Sequence, residues 1–102
     1  MQLAFSSSDG SVFECRIGFE DHDYANIDFH DFARSDVPLH LSFRLRRQVM
    51  VFNQFMTGAW GPERPTPVDL TQDGLSTVRI EFFVNVATVL VDGVRLGTFE
   101  LP

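Results

Sequence analysis

The sequence contains little of what disulfide-bonded, nucleic-acid-binding or membrane-spanning proteins require. Its 102 residues include one cysteine, Cys15, so no disulfide can form within the chain. A lone cysteine is compatible with a reducing compartment such as the cytoplasm, and it leaves the localisation unknown. Because Cys15 lies between Phe13 and Ile17 on the same face of a predicted strand, we expect a small buried hydrophobic side chain rather than a reactive thiol.

Basic residues are scarce, which argues against a phosphate backbone as partner. Eight Lys and Arg stand against 14 Asp and Glu, giving a net charge of -6. Nucleic-acid binding needs a concentrated basic surface, so we expect no nucleic-acid partner. No apolar stretch approaches the roughly 20 residues of a membrane helix, and the N-terminal MQLAFSSSDGS lacks the basic and apolar regions of a signal peptide. We therefore expect no membrane insertion.

What the sequence does contain is the material for one β-rich core. Hydrophobic residues make up 44% of the chain and include 11 Phe, and 102 residues suffice for a single domain spanning residues 1–102. The apolar pattern has a period of two nearly everywhere, and no window of twelve or more residues shows a helical stripe. The pattern predicts an all-β protein.

Six or seven strands follow from this alternation, with turn signals between them. A tight hairpin is predicted through Arg46 and Arg47, and a type I′ turn at Asp92-Gly93, where both central residues need positive φ. TGAWGPERPTP, residues 57–67, is predicted as a structured loop with one short strand at most. The predicted strands are Ser11–Phe19, Ala25–His30, Pro38–Arg44, Gln48–Phe55, Thr77–Val84, a strand through Val89 to Val91, and Val94–Leu101. So many short strands with turns between them favour an antiparallel sandwich or barrel. Because the chain ends directly after a strand, it is compatible with a fragment of a longer protein.

Candidate site residues lie on the outward face of the strands at 38–44 and 48–55. His40, Ser42 and Arg44 share one face at spacing two, and Asn53 follows on the next strand. An aromatic plate, Trp60, stands in a Gly-flanked loop just before Glu63 and Arg64. A pyranose has an apolar C–H face that packs on an aromatic ring, and a rim of hydroxyls that need donors and acceptors, so this combination suits a sugar. The alternative is that the polar run is an ordinary solvated strand face and the tryptophan a core residue.

The segment Leu39–Arg64, LHLSFRLRRQVMVFNQFMTGAWGPER, resembles the carbohydrate-recognition signature of the galectins. In that family H-x-N-x-R is followed by V-x-N and then by W-G-x-E-x-R. The resemblance implies a jelly-roll β-sandwich of the concanavalin A-like kind and non-catalytic binding of β-galactosides. The positions that match are His40, Arg44, Asn53, Trp60, Gly61 and Glu63.

The resemblance also implies roles for these residues. His40 and Arg44 would hydrogen-bond the axial 4-hydroxyl of galactose, Asn53 and Glu63 would hold the 6-hydroxyl, and Trp60 would stack on the apolar face of the ring. The chain departs from the family in three respects. Ser42 replaces an asparagine, the hairpin between Arg44 and Asn53 is short, and Arg64 comes one residue before the family's last arginine, a shift that on a strand reverses the face. The predicted carbohydrate-binding set, with no cofactor and no metal, is His40, Ser42, Arg44, Asn53, Trp60, Glu63 and Arg64.

Other functions remain as alternatives. A galectin-like domain with changed or lost sugar specificity could serve a larger protein as an accessory or protein-interaction module, and a homo-oligomer stays open. Glycoside hydrolysis needs two opposed carboxyls, and Glu63 has no obvious partner. Ser6, Ser7 and Ser8 lie in no nucleophile elbow.

An acidic stretch offers a weaker possibility of metal binding. EDHDYANIDFHDF could supply ligands for a divalent cation across a hairpin, although a solvated turn is the preferred interpretation. The residues concerned are Asp21, His22, Asp23, Asp28, His30 and Asp31.

Overall fold

Ten strands in two sheets form the structure, a computed structural model that describes residues 1–5 and 10–102. The strands are β1 (Gln2–Ala4), β2 (Val12–Gly18), β3 (Tyr24–Asp31), β4 (Asp36–Arg44), β5 (Val49–Met56), β6 (Ala59–Trp60), β7 (Arg64–Pro67), β8 (Leu75–Phe83), β9 (Val86–Val91) and β10 (Val94–Glu100). The first sheet runs in the order β1-β3-β4-β5-β6, with β7 also paired to β5, and the second in the order β10-β9-β8-β2.

The two sheets pack on each other around one core. Pairing is antiparallel throughout except between β1 and β3, which run parallel. Two pairs of phenylalanine rings join the sheets. The ring centroids of Phe29 on β3 and Phe82 on β8 are 5.4 Å apart, and those of the stacked Phe52 on β5 and Phe99 on β10 are 4.5 Å apart. Each contributes to a continuous cluster of buried residues drawn from both sheets. The predicted all-β sandwich is therefore confirmed.

The period of two assigns faces correctly on the central strands. Leu39, Leu41 and Phe43 are fully buried in the core, whereas His40 between them and Arg44 after them are partly exposed on the other face. β4 begins two residues before the predicted start, and the bonding to β5 is interrupted between Val37 and His40. The proline at position 38 lacks an N–H and cannot complete the ladder there, which accounts for this irregularity.

Several strand assignments from the sequence were wrong. β1 went unpredicted, because three residues carry no usable period. The 57–67 segment forms two short strands, β6 and β7, rather than one at most. Val84 does not extend β8: it has φ 36° and, with Asn85 at φ 58°, makes a two-residue turn into β9. Asp36, predicted in a loop, begins β4 and accepts a hydrogen bond from the Thr57 backbone N–H at 2.9 Å.

The structure contains both predicted hairpins. Asp92 and Gly93 have φ values of 49° and 81°, as a type I′ turn requires, and the 45–48 hairpin joins the paired residues Arg44 and Val49.

Cys15 packs against the core but stays half-buried, because β2 is the edge strand of its sheet. Burial raises the pKa of its thiol. Ser6, Ser7 and Ser8 lie outside the described residues.

Candidate functional site

Two neighbouring strands, β4 and β5, place four of the predicted site residues on the outer face of the first sheet, and β3 lies beside β4. Side chains directly opposite each other in an antiparallel pair lie on the same face. Asp28 on β3, His40 on β4 and Asn53 on β5 form one row of such partners, and Tyr24 pairs with Arg44 at the far end of the same face. Between those rows, Asn26 of β3 stands opposite Ser42 of β4.

Trp60 reaches this face because of a tight turn. Thr57 and Gly58 have φ values of 52° and 81° and connect the paired residues Met56 and Ala59, so β6 folds back along the end of β5. Trp60 then lies beside His40 with ring centroids 4.9 Å apart and beside Phe55 at 5.2 Å, both edge to face. It remains 53% exposed, so it is a surface aromatic and not a core residue.

Arg44 and Glu63 form an ion pair at the opposite end of the site. The guanidinium Nη2 donates to the Glu63 carboxylate at 3.0 Å, and Nε donates to the Ser42 hydroxyl at 3.4 Å. Ser42 itself is buried, whereas the Glu63 side chain is 57% exposed. The arginine is held from both sides while the carboxylate stays open to solvent.

Asn53 is held close to the loop that carries Glu63. Its side chain is buried, and its Oδ1 accepts the Gln54 backbone N–H at 2.8 Å. Gly61 crosses nearby, with its N–H donated to the Gln54 carbonyl at 2.9 Å. A Cβ at Gly61 would stand 3.3 Å from the Asn53 Oδ1, so a glycine allows the loop to approach this closely.

Arg64 does not join the other six predicted residues. It is the β7 partner of Phe52, whose side chain belongs to the core, and its guanidinium lies over the rings of Phe52 and Phe99 at 5.6 and 5.7 Å. The one-residue shift along a strand places this side chain on the opposite face. The structure does not support its inclusion in the site.

Sequence reasoning missed three β3 residues on this face. Tyr24 and Asn26 line an open depression of about 470 Å³ together with His40, Ser42 and Arg44. Asp28 hydrogen-bonds Nδ1 of His40. The alternation predicted for Ala25–His30 already placed Asn26 and Asp28 outward, but only the pairing of β3 with β4 shows that they meet the site.

The surroundings of Asp28 lower the pKa of its carboxyl. Burial by itself would raise the pKa of its carboxyl, but the hydrogen bond and charge of His40, with a further bond from Gln2, hold the pKa below its ordinary value. Asp28 is therefore ionised at neutral pH. A carboxylate fixes the orientation of a histidine ring that donates to it.

The acidic stretch considered for metal binding is dispersed in the fold. Asp28 lies on the site face, Asp23 accepts the Arg46 backbone N–H at 2.9 Å, and Asp31 accepts that of Arg34 at 3.3 Å. Across residues 1–5 and 10–102, no three His, Cys, Asp or Glu side chains gather as a metal-binding group. Nor does this part of the chain contain a helix with the length and apolarity to cross a membrane.

Comparison with known proteins identifies a lectin family. The family model described as galactoside-binding lectin matches residues 9–102. Two curated proteins, each a 32 kDa beta-galactoside-binding lectin, are 29% identical in Haemonchus contortus and 30% identical in Caenorhabditis elegans over 70 residues, or 69% of this chain. That match covers 25% of either relative, so the chain spans about a quarter of their length.

The fold agrees with this assignment. A solved structure of a human galectin-16 variant superposes with a TM-score of 0.82, covering 97% of this chain and 75% of that one at 24% sequence identity. A likeness at such low identity shows the fold alone. The family model, by contrast, matches nearly the whole chain, from residue 9 to residue 102. The protein therefore belongs to the galactoside-binding lectin family, the galectins, as a divergent member.

Proposed function

We propose that this domain binds glycans containing a β-galactoside, without catalysing a reaction on them. The observation that carries the proposal is the arrangement of Trp60: it is half exposed, in contact with His40, and on the same sheet face as the Arg44–Glu63 ion pair. An exposed aromatic plate beside convergent polar groups is the chemistry of a sugar site. The family supplies the class of sugar.

The axial 4-hydroxyl of galactose is the group that these residues discriminate. We assign its hydrogen bonds to His40 and Arg44, and those of the 6-hydroxyl to Asn53 and Glu63. Because the Asn53 Oδ1 already accepts a backbone N–H, its Nδ2 is the end available to a sugar oxygen. Groups placed for an axial hydroxyl are left unpaired by the equatorial epimer, which penalises glucose.

The carboxylates of this face support binding rather than hydrolysis. A glycosidase needs one carboxyl that is protonated at working pH and one opposed to it. Asp28 has a lowered pKa and is bonded to His40, and Glu63 is paired with Arg44. Asp28 therefore orients His40, and Glu63 holds Arg44 while its exposed carboxylate can accept a hydrogen bond from the sugar.

Trp60 provides the test, since it is the only tryptophan. Titration with lactose should change its fluorescence, and maltose, which lacks the axial hydroxyl, should not. No response to lactose at roughly 50 mM, well above the millimolar affinity equivalent to about -4 kcal/mol, would exclude simple galactoside binding. Trp60→Ala, followed by calorimetry because it lacks the fluorophore, should abolish lactose binding and leave the far-UV circular dichroism unchanged.

A second candidate is a galectin-like accessory or protein-interaction domain with altered sugar specificity. Two observations favour it: Ser42 has a shorter side chain than the asparagine usual at this position, and Arg64 points to the other face. A glycan array separates the candidates. Retention of galactosides supports the first, whereas binding to a different glycan class, or to none, supports the second.

A further inference from the structure

Asn26 contains a buried polar atom that the protein leaves without a partner. Among the side-chain nitrogens and oxygens of residues 1–5 and 10–102, its Oδ1 is the one that is both buried and without a hydrogen bond. Buried polar groups in native proteins are nearly always bonded, and an exception carries a desolvation cost that a functional role can explain. The position of this asparagine indicates such a role.

The side chain stands directly beside the proposed sugar site. Asn26 is the cross-strand partner of Ser42, and both line the depression that His40 and Arg44 also line. Its neighbours on this face are already engaged: Asp28 bonds His40, and Arg44 bonds Ser42 and Glu63. Ser42 is shorter than an asparagine, and Asn26, directly opposite it in the antiparallel pair, is within reach of the place that a longer side chain at position 42 would occupy.

We propose that Asn26 is a further sugar-binding residue, which supplies from β3 the amide that Ser42 does not supply from β4. Asn26 is half-buried rather than enclosed, and no bond at Oδ1 opposes rotation of the amide about Cβ–Cγ. A turn of the side chain toward the depression lets Oδ1 accept a bond from a ring hydroxyl of the bound galactoside. In the bound state a new hydrogen bond forms, and the Oδ1 of Asn26 is no longer unpaired.

The inference rests on the galactoside binding proposed above, and it predicts opposite effects of one substitution on affinity and on stability. Asn26→Ala should weaken lactose binding about five- to tenfold, the loss of one neutral hydrogen bond. The melting temperature of the free protein should stay equal or rise, because the substitution removes an unsatisfied group. A residue with a merely structural role would lower both.

Lactose titration of Trp60 fluorescence, with thermal unfolding of the unliganded proteins, tests this. Thr88→Ala, on the outer face of the second sheet where Thr88 faces Thr98, is the matched control and should keep wild-type affinity. The exchange Asn26→Ser with Ser42→Asn should restore most of the affinity lost in Asn26→Ala. If wild type binds lactose and Asn26→Ala binds equally well, or loses stability as well as affinity, the role of Asn26 is overturned while galactoside binding stands. If wild type does not bind lactose, both fall.

Discussion

Arg44 on β4 and Arg64 on β7 make contacts on opposite faces of the first sheet. Arg44 is directed at the site by Ser42 and Glu63, whereas Arg64 covers the rings of Phe52 and Phe99 at the edge of the core. Arg44→Ala should therefore remove the lactose response, and Arg64→Ala should keep it within about twofold. Arg64→Ala should instead lower the free energy of unfolding by about 0.5–1 kcal/mol through its lost cation–π contact. Lactose titration and urea unfolding of both variants check this, and a lost lactose response in Arg64→Ala would return that residue to the site.

The contribution of Asp28 to the stability of the fold depends on pH. Its pKa is lowered in the folded chain, so the stability it contributes is present above its unfolded pKa of about 3.9 and is lost as the pH falls through the lower folded value. Asp28→Asn keeps an acceptor for His40 but removes the charge. It should lower the free energy of unfolding by about 1 kcal/mol at pH 7, with the difference narrowing below pH ~4.

Urea unfolding at pH 7 and at pH 3 measures this difference. Asp73→Asn, in an exposed bend away from the site face, is the control and should show a much smaller change. A destabilisation by Asp28→Asn of equal size at both pH values would mean that geometry, and not charge, is what Asp28 contributes.

At the scale of the strands, local rules account for part of the site. The 45–48 hairpin sets the register that places Asn53 opposite His40, and both the hairpin and the alternation can be read from the sequence. The position of Trp60 could not be read in the same way. It depends on the left-handed backbone conformation of Thr57 in the turn before β6, and threonine is uncommon in that conformation. The pairing of Asp28 with His40 likewise depends on a register shift between Phe29 and Asp31, which no local pattern signals.

The hairpins β8-β9 and β9-β10 offer a comparison of two turns. Both use two residues with positive φ, but Val84 occupies the first position of one, where Asp92 occupies it in the other. A β-branched residue at φ 36° is strained, and asparagine tolerates this region well. Val84→Asn should therefore raise the free energy of unfolding by about 1 kcal/mol.

The second turn supplies the converse variant. Gly93→Ala introduces a Cβ at φ 81° and should lower stability by about 1 kcal/mol. Thermal unfolding of the two variants measures both effects. A lower melting temperature for Val84→Asn would show that contacts of the valine side chain outweigh its backbone strain.

At the scale of the whole molecule, the two sheets share one buried cluster, so neither has a core of its own. Phe29, Phe52, Phe82 and Phe99 make the contacts between them. Loss of either sheet would expose the inner face of the other to water. We therefore expect the first sheet, which carries Trp60, and the second sheet to unfold in one cooperative step.

Trp60 and Cys15 can report on the two sheets separately, because each is unique in the chain and they lie on different sheets. Burial raises the pKa of the Cys15 thiol, so the folded chain contains little thiolate and should react slowly with a thiol reagent near pH 8. With increasing urea, the fraction of Cys15 labelled in a short pulse should rise at the same midpoint as the change in Trp60 fluorescence. Cys15→Ser, labelled in parallel, gives the background. Labelling at a clearly lower midpoint would show that the edge strand β2 opens before the first sheet, and that the shared core does not join the two sheets into one cooperative unit.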